Sequence, residues 1–116
     1  PNQTAISHLI GELKDKDVLI IDDMIDTAGT TVNAAEAAQQ RGAKSVTAIA
    51  THGVLSGPAL DRLSKSKIRK IIITDTINMK DKNILNNIDI VTVADVFGAA
   101  INRIHNNESV SSLFEF

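Results

Sequence analysis

The residues best suited to chemistry are three aspartates in one short stretch. Asp22 and Asp23 follow four aliphatic residues, and Asp26 opens the polar run 26–30, whose sequence is Asp-Thr-Ala-Gly-Thr. Backbone N–H groups of a tight loop that leads into a helix can hold a phosphate. Carboxylates accept hydrogen bonds from sugar hydroxyls and are hard ligands for Mg²⁺. The combination predicts a site for a phosphate that is joined to hydroxyl groups or accompanied by a metal ion.

The elements around this stretch are predicted from its flanks. We predict a strand at residues 17–22, because the continuous apolar run within it is typical of a parallel strand buried on both faces. The Ala-rich segment 31–41 predicts a helix that packs closely on a sheet, and Gly42 is expected just past its end as the C′ residue.

The rest of the chain continues the alternation of strands and helices. We predict strands at 45–51, 70–74 and 89–93, helices at 59–64 and 94–106, and an irregular segment at 77–88. This order implies a parallel sheet with helices on both faces. Ligands of such sheets bind beyond the carboxyl ends of the strands. Here those ends carry Asp22-Asp23, Thr51-His52 and Thr74-Asp75, which we expect to share one cleft.

Composition limits the functional classes. The 116 residues suffice for one domain, and 43% apolar with 22% charged residues is ordinary for a globular protein. The net charge of −2 argues against a nucleic-acid surface, and no apolar run approaches the length of a membrane span. The absence of cysteine fits a reducing compartment, so we expect a cytoplasmic location.

Residues 18–31 resemble the phosphoribosyl-pyrophosphate (PRPP) signature of type I phosphoribosyltransferases and their relatives. Segments 50–59, 74–77 and 108–114 narrow the resemblance to the ribose-phosphate pyrophosphokinase family, over about Ile6 to Phe114. The resemblance implies an α/β, three-layer parallel-sheet, phosphoribosyltransferase-like (Rossmann-like) domain, truncated at its N-terminal side. Residues 1–116 would be the partial C-terminal ribose-phosphate-binding domain of a larger two-domain enzyme, and the start at Pro1 suggests a cut piece of it.

That family transfers the diphosphoryl group of ATP to the 1-hydroxyl of ribose 5-phosphate, with Mg²⁺, to give PRPP and AMP. The resemblance places most ATP contacts in the N-terminal domain and the catalytic Lys and Arg in a loop upstream of this chain. No catalytic residue is therefore expected in residues 1–116, and we expect them to be inactive alone. The full-length protein is expected to be a homo-oligomer, a hexamer built from dimers.

The resemblance also assigns residues. The substrate-binding set is Asp22, Asp23, Asp26, Thr27, Ala28, Gly29 and Thr30. We favour Asp22 for direct hydroxyl contact, because adjacent strand residues point to opposite sides. Asp23 would orient the site or touch Mg²⁺ through water. Asp26 would order the loop or accept a proton, and these alternatives stay open.

Other positions keep two interpretations. His52 contacts a ligand or neighbouring subunit, or is structural. Asp75 is a site residue, or it has a helix-cap or turn role. Ser109, Ser111 and Phe114 resemble an allosteric phosphate site between subunits, or belong to a tail that only packs. Two other functions also remain open: a phosphoribosyltransferase that consumes PRPP, and a non-catalytic regulatory subunit of the synthetase.

Overall fold

The computed structural model describes residues 11–115. Its elements are β1 (Asp17–Ile25), α1 (Gly29–Gln40), β2 (Ser45–Gly53), α2 (Ala59–Lys65), β3 (Lys70–Thr74), β4 (Ile88–Val91), α3 (Ala94–His105) and a 3₁₀ turn (Ser111–Phe114). The four strands form one parallel sheet in the order β1-β2-β3-β4. The predicted parallel α/β architecture is confirmed.

One face of the sheet carries the core. Alternate residues of the central strands point to this face and are buried, among them Val46, Ala48, Ile71 and Ile73. Helices α1 and α2 pack on the same side, where their small and aliphatic residues are buried: Ala35, Ala38, Ala59 and Leu63. Side chains on one face of a strand recur at every second residue, so this face is continuous across the sheet.

The prediction that the first strand is buried on both faces is wrong. β1 lies at the edge of the sheet, and Leu19 and Ile21 are 60% and 73% exposed on the face opposite α1. In residues 11–115, the helix α3 contacts the 3₁₀ turn rather than the sheet, and its Phe97 and Ile101 are exposed. The apolar residues of 1–10 lie outside the described residues. Helices therefore cover one face of the sheet in the described part of the chain.

Several boundaries also differ from the prediction. β1 extends to Ile25, so Asp22 and Asp23 lie within the strand rather than at its end. β2 extends to Gly53 and so includes His52, and α1 begins at Gly29. The predicted role of Gly42 is confirmed: its φ is +89°, and its N–H donates to the carbonyl of Gln39 at 2.9 Å.

Candidate functional site

The loop between β1 and α1 has the form of an anion cradle. Ala28 adopts a left-handed conformation, with φ 66° and ψ 6°, and directly precedes the first turn of α1. Within residues 11–115, no side chain caps this helix N-terminus. Its first N–H groups have no intrahelical partners and lie at the positive end of the helix dipole. They border a cleft of about 160 Å³ that is lined by Asp22, Met24 and residues 26–31.

The two adjacent aspartates of β1 differ in their relation to the cleft. Asp22 pairs in register with Ala50, which is buried on the helix-covered face, and it lines the cleft. Asp23 does not line the cleft. Its N–H donates to Asp22 Oδ1 at 2.8 Å, which orients the Asp22 carboxylate. Of the two, Asp22 is therefore the one that shares the cleft with the 26–30 loop.

Asp26 is held by the segment that follows β2. The hydroxyl of Ser56 donates to Asp26 Oδ1, and the Ser56 N–H donates to the Asp26 carbonyl at 3.0 Å. Of the two roles left open for Asp26, this geometry matches loop ordering, with a side-chain hydroxyl as the donor. The sequence alone gave no reason to assign Ser56 a function. Its neighbours Gly53, Gly57 and Pro58 are typical of a loop with a defined conformation.

A second residue that sequence reasoning missed is Arg62 on α2. Its Nη1 donates to the Thr27 carbonyl at 3.1 Å. The same atom would lie 3.2 Å from a Cβ built on Gly29, so the guanidinium rests against the loop backbone. In the sequence alone, Arg62 had no distinguishing signal, because an Arg on a short polar helix is ordinary.

The carboxyl ends of β2 and β3 meet each other, but none of their predicted residues lines the cleft that contains Asp22. The Thr74 hydroxyl donates to the Thr51 carbonyl at 2.6 Å, which joins the carboxyl ends of β2 and β3. His52 Nδ1 lies 2.8 Å from Thr76 Oγ1, so His52 has a protein partner at this edge. The contact fits the structural interpretation of His52.

Asp75 has the geometry of a cap. Its carboxylate accepts a hydrogen bond from the Thr92 hydroxyl at 2.6 Å and another from the Val93 N–H at 2.9 Å, just before α3. These two donors, Thr92 first, hold the pKa of Asp75 below its ordinary value of 3.8, because they stabilise the charged form. Of the two interpretations of Asp75, the contacts match the helix cap.

The C-terminal tail packs against α3. Arg103 donates to the Ser109 carbonyl at 3.1 Å and to the Ser112 hydroxyl, and the hydroxyls of Ser109 and Ser111 are 2.7 Å apart. Phe114 is 63% exposed. The predicted allosteric role of this tail stays a prediction.

Two absences apply to residues 11–115. No group of three or more His, Asp or Glu side chains there is placed to enclose a metal ion. None of the helices in that range has the length and apolar character that a membrane span requires.

Fold and site together define an α/β domain in which a strand, a left-handed loop and a helix N-terminus form a cradle, and an aspartate from the strand lines the same cleft. The model of the protein family described as "Phosphoribosyl synthetase-associated domain" matches residues 2–115. The chain belongs to this family.

Individual relatives agree with the family. The chain is 51% identical over 114 residues to a protein of Fusobacterium nucleatum and 48% identical over 113 residues to one of Campylobacter jejuni, both named ribose-phosphate pyrophosphokinase. These alignments cover 98% and 97% of the chain but 36% of each relative. The crystal structure of phosphoribosylpyrophosphate synthetase from Mycobacterium smegmatis matches with a TM-score of 0.81 and 35% identity, over 84% of this chain and 33% of that one. The chain thus spans about a third of the length of the relatives that it matches.

Proposed function

We propose that this chain is the ribose 5-phosphate-binding part of a ribose-phosphate pyrophosphokinase. The observation that carries the proposal is the shared cleft of Asp22 and the 26–30 loop, in a chain whose relatives bear that enzyme's name. The loop supplies N–H donors and the Thr27 and Thr30 hydroxyls for the 5-phosphate. Asp22 accepts hydrogen bonds from the ribose hydroxyls.

Mg²⁺ fits the residues present. Mg²⁺ usually keeps several waters and is bound by one or two carboxylates together with substrate phosphates, rather than by a protein cage. Asp22 is an exposed carboxylate of the cleft and could hold its water shell. When bound, the ion neutralises phosphate charge, while this chain's own part is to hold and orient the sugar phosphate.

The complete enzyme is proposed to transfer the diphosphoryl group of ATP to the 1-hydroxyl of the bound ribose 5-phosphate, which yields PRPP and AMP. This chain would be its C-terminal part, with ATP held mainly by the other domain, in a homohexamer of the cytoplasm. Phosphoryl transfer depends on cations around the transferred group, and the chain's cleft offers mainly acids and N–H donors. We therefore propose that residues 1–116 bind the acceptor sugar and do not catalyse alone. The tail residues Ser109, Ser111 and Phe114 are proposed to form part of an allosteric phosphate site.

The relatives' names favour the synthetase over a phosphoribosyltransferase that consumes PRPP. The test is calorimetric titration of the 116-residue chain with ribose 5-phosphate, and with ribose as the matched ligand that lacks the phosphate. We expect saturable binding of ribose 5-phosphate and at least tenfold weaker binding of ribose, because a charge-assisted hydrogen bond contributes about 1.5–3 kcal/mol.

Asp22→Asn and Asp23→Asn form a matched pair for the same titration. We expect Asp22→Asn to weaken ribose 5-phosphate binding about tenfold, through loss of charged acceptors for the hydroxyls. Asp23→Asn should change it by about threefold or less, because Asp23 does not line the cleft. Equal binding of ribose and ribose 5-phosphate would contradict the proposal.

A further inference from the structure

The phosphate loop of residues 26–30 needs support from outside itself. Ala28 sits in the left-handed region, with φ 66°, which costs a residue with a Cβ about 1–2 kcal/mol. Asp26 also places a negative charge beside the helix N-terminus at which the phosphate would bind. Without external contacts, the loop would be free to relax, and the Asp26 carboxylate could occupy the N–H donors.

Ser56 supplies one such contact. It lies in the segment 54–56, whose N–H groups run alongside the end of β1: those of Val54 and Leu55 donate to the Ile25 carbonyl at 3.0 and 3.1 Å. The Ser56 hydroxyl then binds the Asp26 carboxylate from outside the cradle. This contact holds the acid away from the N–H donors of α1.

The segment 54–56 is itself anchored. Leu55 is buried, with φ 53°, and its carbonyl accepts a hydrogen bond from Lys82 Nζ at 3.0 Å. The support for Asp26 therefore reaches from the irregular segment after β3, through Leu55, to Ser56. The hydrogen bond between Ser56 and Asp26 is therefore held in place by a buried residue and a further hydrogen bond.

Arg62 supplies the second contact from behind the loop. Its guanidinium binds the Thr27 carbonyl at 3.1 Å and lies against Gly29, where an added Cβ would be only 3.2 Å from Nη1. The cation is thus next to the first residue of α1 and partly offsets the nearby acids. A side chain at position 29 would therefore require the guanidinium to shift by a few tenths of an ångström.

We propose that Ser56 and Arg62 are positioning residues of the sugar-phosphate site: Ser56 holds Asp26 away from the anion, and Arg62 fixes the Thr27–Gly29 backbone and adds positive charge behind it. This inference rests on the proposed ribose 5-phosphate site. Both residues act on the loop rather than on the ligand.

The first experiment measures ribose 5-phosphate binding by calorimetry for the 116-residue chain and for Arg62→Ala. Lys65→Ala is the matched control, because it removes the same charge from the same helix and its partner Asp61 is exposed. We expect the Kd for ribose 5-phosphate to rise about tenfold in Arg62→Ala and to change less than twofold in Lys65→Ala. Urea unfolding should be nearly unchanged for both, because both side chains are exposed. Equal losses of affinity would indicate a general charge effect and overturn the positioning role.

The second experiment tests Ser56 by coupling. Ser56→Ala should weaken binding severalfold, because the released Asp26 carboxylate competes for the N–H donors. Adding Asp26→Asn to Ser56→Ala should restore at least half of that loss, since the repulsive charge is then gone. If Asp26→Asn worsens binding equally in both backgrounds, Ser56 does not act through Asp26 and the proposal fails for it.

A third measurement needs no ligand and separates the two proposals. Amide hydrogen exchange of residues 27–30 should be faster in Arg62→Ala than in the parent or in Lys65→Ala. Unchanged exchange would overturn the positioning role even where ribose 5-phosphate binds. Faster exchange in a chain that shows no ribose 5-phosphate binding would refute the proposed function and, with it, the assignment of this loop to a sugar phosphate.

Discussion

Replacing Gly53 by Ala tests how the end of β2 is built. A Cβ at Gly53 would lie 2.5 Å from Ile73 Cδ1, 3.0 Å from Cγ2 and 3.2 Å from Cβ. Ile73 is fully buried, and its β-branched side chain has little freedom at χ1, so it cannot simply turn away. Overpacking of a core destabilises a protein by about 1–3 kcal/mol. Because the added Cβ would meet three atoms of one stiff residue, we expect Gly53→Ala to lower the free energy of unfolding by about 2 kcal/mol. That corresponds to a fall in Tm of about 8 °C for a chain of this size.

The assay is urea unfolding followed by circular dichroism, with Gly98→Ala as the control. Gly98 lies in α3, and a Cβ there meets nothing within 4 Å, so the same substitution should stabilise the chain by up to about 1 kcal/mol. Ile73→Val removes the closest atom and should cost about 1 kcal/mol alone. In combination with Gly53→Ala, it should cost clearly less than the sum. Additive costs, or a Gly53→Ala variant as stable as Gly98→Ala, would refute this account of the packing.

Three further outcomes are expected. Gly42→Ala should destabilise the chain by about 1–2 kcal/mol in urea unfolding, because φ is +89° there; a neutral result would contradict the strained geometry. The pKa of Asp75 is lowered, so its hydrogen bonds contribute stability above pH 3.8 that is lost as the pH falls through the folded-state pKa. Asp75→Asn should therefore reduce the fall of Tm at acidic pH in thermal melts. An unchanged dependence of Tm on pH in that range would argue against the cap. Lys70→Ala should cost less than about 1 kcal/mol, since its 2.7 Å ion pair with Asp89 is half exposed, and a larger loss would mean that the pair is shielded from solvent.

The order of the elements was predictable because its signals are local. Aliphatic runs, the Ala-rich segment and Gly42 mark strand, helix and helix end within a few residues of each other. The meeting of Thr51 and Thr74 followed in turn, because parallel strands bring their carboxyl ends to one edge. These inferences need no knowledge of which elements are neighbours in space.

The burial of β1 could not be predicted from the local sequence. The aliphatic run at 18–21 is consistent with coverage on both faces, but coverage depends on which helices lie against the strand. In residues 11–115, Leu19 and Ile21 face a side without a helix, and the apolar residues of α3 are also exposed. A chain that spans about a third of its relatives can carry surfaces whose partners lie in the remaining length. The local sequence pattern shows that a strand is apolar. Which helix or chain segment packs against that strand depends on the complete tertiary structure.

The same distinction applies to Asp26, an acid within a loop that is proposed to bind a phosphate. Its neighbours along the chain supply no donor that turns its carboxylate away from an anion, and the donor that does so is Ser56, 30 residues further on. Arg62 reaches Thr27 across 35 residues. Spacing within a motif can predict what a loop binds, because the binding groups are contiguous. The residues that hold such a loop in shape come from wherever the fold places them, so the charge balance of the site becomes visible only when β1, β2 and α2 are considered together.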